Sequence, residues 1–251
     1  MNIRTASDIR LMEQAGRLAA EALQYTGKHV RVGISTDELN LIADDFIRSR
    51  DAISACTGYH GYPKAICTSV NQVICHGVPD KTILKDGDII NIDITVIKNA
   101  FHGDTSSMFF VGQVTERGKK LADCAFEAMH RGIKVVTAGA STGDIGFAVE
   151  KFVSRKGFYA VREIGGHGIG QNFHEEPFVP SFGKRGKGPK LLKWGTITVE
   201  PMINETSAPI NEIAIPGSEI TVFETGDGSW SAQFEHTVLI TDKEAQILTV
   251  A

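Results

Sequence analysis

The sequence resembles itself at a distance of 106 residues, and this repeat constrains the fold more than any other feature. Three short segments of the first half align without a gap on segments of the second half: Ala19–Leu23 on Ala125–Met129, Gly33–Thr36 on Gly139–Thr142, and Phe46–Ile47 on Phe152–Val153. One alanine-rich match arises easily by chance in helical sequence, but three matches in one register favour an internal duplication. We therefore predict a single domain over residues 1–251, with pseudo-repeats of about 6–113 and 114–251.

Each half is predicted to begin with two helices and to continue as β-strands. Apolar residues recur at helical spacing in the first helix of each half: Leu11, Ala15, Leu18 and Ala22, then Leu121, Ala125 and Ala128. The second helices are expected to begin at Ser35 and Ser141, each with an acidic residue three positions later that completes a cap. β-rich sequence follows at about 53–113 and 158–250. The prediction is a pseudo-two-fold α+β domain with two helix pairs on the back of a curved antiparallel sheet.

Composition and charge narrow the class of protein. Hydrophobic residues make up 42% and charged residues 22% of the chain, which is typical of a soluble globular protein. The formal net charge of −4 disfavours a DNA-binding protein, and no apolar run approaches the ~20 residues that span a bilayer. The start of the chain lacks a signal peptide's apolar stretch, and four cysteines without a C-x-x-C pair are expected to be reduced. We expect a cytoplasmic monomer with no membrane or DNA partner.

Two carboxylates are predicted to lie on neighbouring strands of one hairpin. Between residues 88 and 97, polar and isoleucine-rich positions alternate, which is typical of a strand with Asp93 on its polar face. A second alternation contains Asp104, and a two-residue turn at Lys98–Asn99 would place Asp93 directly opposite Asp104. Facing carboxylates repel unless a positive charge lies between them. This pairing predicts a divalent cation at the site.

Two further carboxylates are predicted in strands of the second half. Glu200 shares a polar face with Thr196 and Thr198, and Glu235 shares one with Gln233 and Thr237. The alternative for any single carboxylate is a solvated outer face, but four such groups among isoleucine and valine make that interpretation weak. Three histidines join the candidates, His76, His167 in the glycine-rich run Gly165–Gly170, and His174, although a histidine considered alone more often has a structural role.

Taken together, these segments resemble the type I methionine aminopeptidases, the bacterial type of peptidase family M24. The resemblance covers essentially the whole chain and rests on these motifs: Cys75–Pro79, Asp86–Asp93, Phe101–Thr105, Gly165–Gly170 with Phe173–Pro177, Thr198–Met202 and Ser231–His236. It implies the pita-bread fold of creatinase and the aminopeptidases, and metal-dependent removal of the initiator methionine from nascent proteins.

The resemblance also implies a role for each residue of the site. Two divalent ions, cobalt, manganese, iron(II) or zinc, would be held by Asp93, Asp104, His167, Glu200 and Glu235, with Asp104 and Glu235 bridging. In this family the ions hold the attacking hydroxide between them, and Glu200 would accept its proton. His174 would donate to the tetrahedral intermediate, His76 would lie near the scissile amide nitrogen, and Thr95 would help hold the free amine.

The pocket for the methionine side chain is likewise implied by matching residues, which are Cys56, Tyr59, Tyr62, Cys67 and Phe173. Core packing is the alternative role for the aromatic ones. One position departs from the family: where it has a pocket-lining tryptophan, a count back from Glu235 reaches Thr221, within a divergent segment at 204–228.

A basic run at 184–193 is either a solvated loop or a contact for ribosomal RNA. Two other functions remain as alternatives. A proline-specific exopeptidase is disfavoured, because the chain's length leaves no room for the extra amino-terminal domain of those relatives. A ribosome-associated binding module with an inactive site is disfavoured because no ligand is missing.

Overall fold

The computed structural model describes residues 2–251, in which four α-helices and a large antiparallel sheet make up the framework. The helices are α1 (Ala6–Gly27), α2 (Thr36–Arg48), α3 (Glu116–Ile133) and α4 (Thr142–Arg155). The strands are β1 (Ile53–Ser54), β2 (Cys67–Val70), β3 (Val73–Cys75), β4 (Ile89–Lys98), β5 (Phe101–Phe110), β6 (Tyr159–Ala160), β7 (Gly166–Gly168), β8 (Glu175–Val179), β9 (Thr196–Val199), β10 (Met202–Asn204), β11 (Ile210–Ala214), β12 (Thr221–Thr225), β13 (Ser231–Gln233), β14 (Glu235–Leu239) and β15 (Gln246–Ile247).

The central sheet joins the two halves of the chain. Its strand order is β1-β4-β5-β14-β9-β7-β8, with β2 also paired to β4 and β15 to β14. The long β4–β5 hairpin of the first half therefore lies beside β14 and β9 of the second half. Two three-stranded sheets, β13-β10-β6 and β11-β12-β3, complete the β structure. The predicted α+β class, with antiparallel strands and two helix pairs, is confirmed.

The second helix of each half begins where the sequence predicts. Ser35 caps α2, since its backbone N–H donates to Oε2 of Glu38 at 2.9 Å while the N–H of Glu38 donates back to the serine hydroxyl at 3.2 Å. Ser141 and Asp144 form the equivalent capping box at α4. Each cap satisfies backbone amides that the first turn of a helix leaves without partners.

The alternation along β4 separates the core from the site. Ile90, Ile92 and Ile94 are completely buried and pack with residues of α1 and α2. Each isoleucine removed from water stabilises the fold by about 1.5–3 kcal/mol. Because successive side chains of a strand point to opposite faces, this burial turns Asp93 and Thr95 to the other face of the sheet.

The predicted register of the β4–β5 hairpin is wrong. Asn99 and Ala100, not Lys98 and Asn99, are the central residues of the turn, with φ of 53° and 64°. A two-residue hairpin turn of this kind needs positive φ at both central positions, and asparagine occupies the first of them. As a result Asp104 pairs with Thr95, and Asp93 pairs with Ser106. The two aspartates are diagonal neighbours on one face and do not lie directly opposite each other.

The two glutamates lie at strand ends, although the sequence predicts positions within strands. Glu200 follows the last residue of β9, and Glu235 is the first residue of β14. The pairing of His236 with Val199 brings these two strand ends side by side. The described chain has no helix whose length and apolar character would allow it to cross a membrane.

Candidate metal centre and active site

A cavity of about 290 Å³ opens on the polar face of the central sheet. All the catalytic, metal-binding and substrate-binding residues that the sequence predicts line this cavity. They are Cys56, Tyr59, Tyr62, Cys67, His76, Asp93, Thr95, Asp104, His167, Phe173, His174, Glu200 and Glu235. Residues from both halves of the chain therefore meet in one place.

The four carboxylates of the cavity lie close to one another, with Asp104 and Glu235 buried and Asp93 and Glu200 partly buried. Burial raises the pKa of the Asp93 carboxyl to about 7. It also raises the pKa of Asp104, which the nearby charge of Asp93 raises further. The pKa values of Glu200 and Glu235 are raised by burial and by the charge of Asp104. Four carboxylates that are largely withdrawn from water are unfavourable when ionised without a cation, because desolvation and mutual repulsion act in the same direction.

His167 places a ring nitrogen beside the same cluster. One ligand atom from each of Asp104, His167 and Glu235 lies within 4.8 Å of the others, and Nε2 of His167 is 3.5 Å from Oε1 of Glu200. Its Nδ1 is 2.9 Å from the carbonyl of Gly168 and so donates its proton there. Burial lowers the pKa of His167 to about 4, so the ring is neutral and Nε2 presents a lone pair to the carboxylates.

These residues fit a divalent metal. Oε1 of Glu235 is buried without a hydrogen-bond partner among the described residues. Carboxylate oxygens with one imidazole nitrogen form a donor set that suits manganese, iron(II), cobalt or zinc. A cation bound there would neutralise the cluster and give a partner to this oxygen.

Neighbouring polar side chains hold the carboxylates in place. The hydroxyl of Thr198 donates to Oε1 of Glu200 at 2.7 Å and accepts the backbone N–H of His167 at 2.9 Å. Gln233 donates from Nε2 to Oε2 of Glu200 at 3.1 Å. The sequence places Thr198 on the polar face of β9, but its contact with His167 needs the folded sheet. Such supporting groups orient metal ligands and tune their basicity.

The two other histidines are anchored through Nδ1. That atom of His76 is 3.0 Å from the carbonyl of Thr221, and that of His174 is 2.7 Å from the hydroxyl of Tyr59. Burial lowers the pKa of both rings, that of His174 to about 3. Both are therefore neutral near pH 7. The His174 ring centroid lies 4.2 Å from that of His167, so the ring borders the cluster of carboxylates and His167.

An apolar pocket adjoins the carboxylates. Cys56, Tyr62 and Cys67 form a buried cluster with Ile215, against which Phe173 and Ile220 pack. The four cysteines of the chain are free thiols, as predicted. The cavity is also lined by residues to which the sequence assigns no role: Glu163, Ile164, Gly165, Gly166, Phe178 and Ile220.

Thr221 is not among the residues that line the cavity, so the wall expected at this position is supplied by another residue of the divergent segment 204–228. Its neighbour Ile220 has that position. Adjacent side chains of an extended segment point to opposite sides, so Ile220 and Thr221 do not face the cavity together. The backbone of Thr221 still supports the site, because its carbonyl is the partner of His76.

Comparison with known proteins gives the family. The model of metallopeptidase family M24 matches residues 10–242. The chain belongs to this family. This M24 chain is 48% identical over 252 aligned residues to a protein named methionine aminopeptidase from Escherichia coli (strain K12), covering 100% of this chain and 94% of that one. The resemblance predicted from the motifs is thus confirmed.

Solved structures of related proteins have the same fold as the M24 chain. Methionine aminopeptidase from Rickettsia prowazekii superposes with a TM-score of 0.96 at 42% identity, with 100% of both chains covered. An Xaa-Pro dipeptidase from Bacillus anthracis superposes with a TM-score of 0.76 at 21% identity, covering 99% of this chain and 62% of that one. The second match shows a common fold alone. The predicted pita-bread fold is confirmed by these neighbours.

Proposed function

We propose that this chain removes the initiator methionine from nascent proteins in the cytoplasm. The observation that carries the proposal is a single cavity in which a buried carboxylate and histidine cluster adjoins a pocket of thiol, aromatic and aliphatic groups. The full-length similarity to proteins named methionine aminopeptidase supports the same activity.

Five residues of the cavity are proposed to hold two divalent ions. Asp93, Asp104, His167, Glu200 and Glu235 would supply the ligands, and Asp104 and Glu235 would serve both ions. Bound ions would act as Lewis acids and make water a stronger acid at neutral pH. One ligand atom from each of Asp104, His167 and Glu235 lies within 4.8 Å of the others, which is close enough for a single ion to contact all three.

Glu200 is proposed to accept the proton of the attacking water. Its two oxygens already accept hydrogen bonds from Thr198 and Gln233, which fix the direction of the carboxylate. A carboxylate held in this way needs no reorientation when it takes up a proton.

The two anchored histidines are proposed to bind opposite ends of the scissile amide. If the hydroxyl of Tyr59 donates to Nδ1 of His174, the ring proton lies on Nε2 and can be donated to the carbonyl oxygen as charge develops there. His76 donates from Nδ1 to the Thr221 carbonyl, so its Nε2 is an acceptor suited to the amide N–H. Thr95 is proposed to bind the free amine beside Asp93.

The pocket is proposed to receive the methionine side chain. Cys56, Tyr59, Tyr62, Cys67 and Phe173 supply polarisable sulfur and aromatic surfaces, which contact a thioether favourably. A free amine held near the metal ligands would limit hydrolysis to the first peptide bond.

Binding to ribosomal RNA is proposed for the basic surface of the second half. Lys184, Arg185 and Lys187 are exposed. The Arg185 guanidinium lies over the ring of Phe147, 4.8 Å from its centroid, and borders a surface cleft. That cleft is also lined by four further basic residues, which are Arg131, Lys134, Lys151 and Arg155. In a chain of net charge −4 this concentration of cations gives one face a local attraction for phosphate.

The experiment that tests the activity is turnover of two peptides, Met-Ala-Ser and Ala-Pro. We expect release of methionine that a chelator abolishes and that added manganese, iron(II) or cobalt restores. Cleavage of the proline peptide alone, or the absence of any metal-dependent methionine release, would contradict the proposal.

A further inference from the structure

The hairpin of β11 and β12 borders the substrate cavity with its tip, residues 215–220, here called the hairpin tip. Ile215 is 7% exposed and belongs to the buried cluster with Cys56 and Tyr62. Ile220 lines the cavity itself. The hairpin tip lies within the divergent segment 204–228, outside every motif that carries the family resemblance.

The hairpin tip is attached to a short turn at Tyr59–Gly61. The backbone N–H of Glu219 and the hydroxyl of Ser218 both donate to the carbonyl of His60, at 2.8 and 2.9 Å. The hydroxyl of Ser218 also accepts the N–H of Ile220 at 3.0 Å, which couples the position of Ile220 to this attachment. Nδ1 of His60 and Oε2 of Glu219 lie 2.7 Å apart.

Steric contact reinforces these hydrogen bonds. A Cβ placed on Gly61 would lie 2.3 Å from the carbonyl oxygen of Gly217, far inside van der Waals contact. The two backbones therefore meet as closely as they do only because position 61 has no side chain. The His60–Glu219 pair is largely exposed, with 49% and 81% of the two side chains accessible, so it contributes less than the backbone contacts.

Tyr59, the first residue of the turn, contacts residues of the proposed active site. Tyr59 lines the cavity, packs against Phe173 with ring centroids 4.8 Å apart, and holds Nδ1 of His174 through its hydroxyl. Movement of the turn would thus change both the pocket wall and the orientation of His174.

We propose that the hairpin tip sets the selectivity for the first side chain of the substrate, and that its attachment to the Tyr59–Gly61 turn holds the pocket at the width of an unbranched side chain. Ile220 is the wall residue, while Ser218 and Gly61 are positioning residues that act through it. The proposal rests on the proposed aminopeptidase function, because it concerns the selectivity of that same cavity.

Two glycines of the turn region provide a matched test. Gly58 and Gly61 have nearly equal positive φ, 78° and 82°, so alanine strains the backbone similarly at both. A Cβ at Gly58 meets nothing within 4 Å, whereas a Cβ at Gly61 would push against the hairpin tip. We expect Gly61→Ala to raise kcat/KM for a leucine or phenylalanine peptide relative to the methionine peptide by about fivefold or more. Gly58→Ala should leave this ratio within about twofold of the natural protein.

A second pair keeps the test informative if Gly61→Ala fails to fold. Ser218→Ala removes the hydroxyl that joins the carbonyl of His60 to the N–H of Ile220, and Ser207→Ala changes an exposed serine ahead of the hairpin. We expect a smaller shift of the same ratio, about two- to fivefold, for Ser218→Ala only.

The outcomes separate this inference from the proposed function. Methionine release by the natural protein with unchanged ratios in Gly61→Ala and Ser218→Ala would overturn the role of the hairpin tip and leave the aminopeptidase assignment intact. Equal shifts in Gly61→Ala and Gly58→Ala would also overturn it, because turn strain and not the approach to Gly217 would then set the ratio. If the natural protein released no methionine, both the role of the hairpin tip and the proposed aminopeptidase function would be overturned.

Discussion

The hydroxyl of Thr95 donates a hydrogen bond of 2.7 Å to Oδ1 of Asp104 across the β4–β5 hairpin. The two residues are direct partners in the strand register, which leaves Asp93 diagonal to Asp104 on the same face. Oδ1 of Asp104 therefore accepts the Thr95 hydrogen bond, and Oδ2 lies 3.7 Å from Nε2 of His167. This arrangement directs Oδ2 of Asp104 toward the proposed metal ligands.

Replacing Asp104 by asparagine should reduce metal affinity and activity together. Asparagine keeps the size of the side chain but removes the charge that a shared ligand supplies, so we expect about a tenfold or greater loss of affinity for manganese or cobalt and a parallel loss of turnover. Metal titration by calorimetry and peptide turnover measure the two effects, with Asp45→Asn as an exposed control. Two tightly bound ions and full turnover in Asp104→Asn would be inconsistent with the proposed centre.

Replacing His174 by alanine should lower kcat without loss of metal. The ring is proposed to donate only to charge that develops in the transition state, so kcat should fall by ~100-fold or more. Metal content, measured by elemental analysis, should match that of the natural protein. A variant purified without metal would show instead that His174 is a ligand.

Replacing Asp93 by asparagine should change the pH dependence of stability in the chelator-treated protein. Burial raises the pKa of Asp93 to about 7, above its ordinary value of 3.8. Between these values the folded state keeps a proton that the unfolded state has lost. The contribution of Asp93 to the free energy of unfolding therefore falls as pH rises from about 4 to 7, and it is absent in Asp93→Asn.

Urea unfolding in chelator measures this difference. The stability of Asp93→Asn relative to the natural protein should rise between about pH 4.5 and 7 by on the order of 2–3 kcal/mol. The histidines titrate in both proteins and so largely cancel from the comparison. The pKa of Asp104 is less raised in the variant because the charge of Asp93 is missing, and this change adds to the difference in the same direction. Parallel pH profiles of the two proteins would contradict the raised pKa.

Replacing Ile220 by alanine should weaken the methionine pocket. The variant has less apolar surface beside the substrate side chain, so kcat/KM for a methionine peptide should fall about tenfold. Ile213→Ala, at a site on the same hairpin that is 44% exposed, is the matched control. Equal kcat/KM values in the two variants would show that Ile220 does not form a wall of the methionine pocket.

Replacing Lys184, Arg185 and Lys187 by glutamate should weaken binding to ribosomes while leaving tripeptide turnover within about twofold. The affinity should also depend less on salt, because fewer cations then displace counterions from the RNA phosphates. Co-sedimentation with ribosomes at two salt concentrations measures both effects. Unchanged co-sedimentation would indicate that these cations belong to a solvated loop.

The sequence alone predicts the helices, the class of fold and the members of the site. Capping pairs such as Ser35 with Glu38 predict helix starts because the signal lies within four residues. The alternation along β4 likewise predicts that Asp93 and Thr95 share a face, since side chains of a strand alternate. The motifs, read through the family resemblance, name residues that all line one cavity.

Tertiary structure decides how those residues meet. The register of the β4–β5 hairpin depends on which two residues adopt positive φ, and the choice of Asn99 and Ala100 gives Asp104 a threonine partner in place of Asp93. At the hairpin tip, Ile220 and not Thr221 faces the cavity. The attachment of Ser218 to His60 joins positions 158 residues apart. Periodicity within a strand determines which face of the sheet a side chain lies on. The register between strands and the contacts between distant segments depend on tertiary packing, which no local sequence pattern specifies.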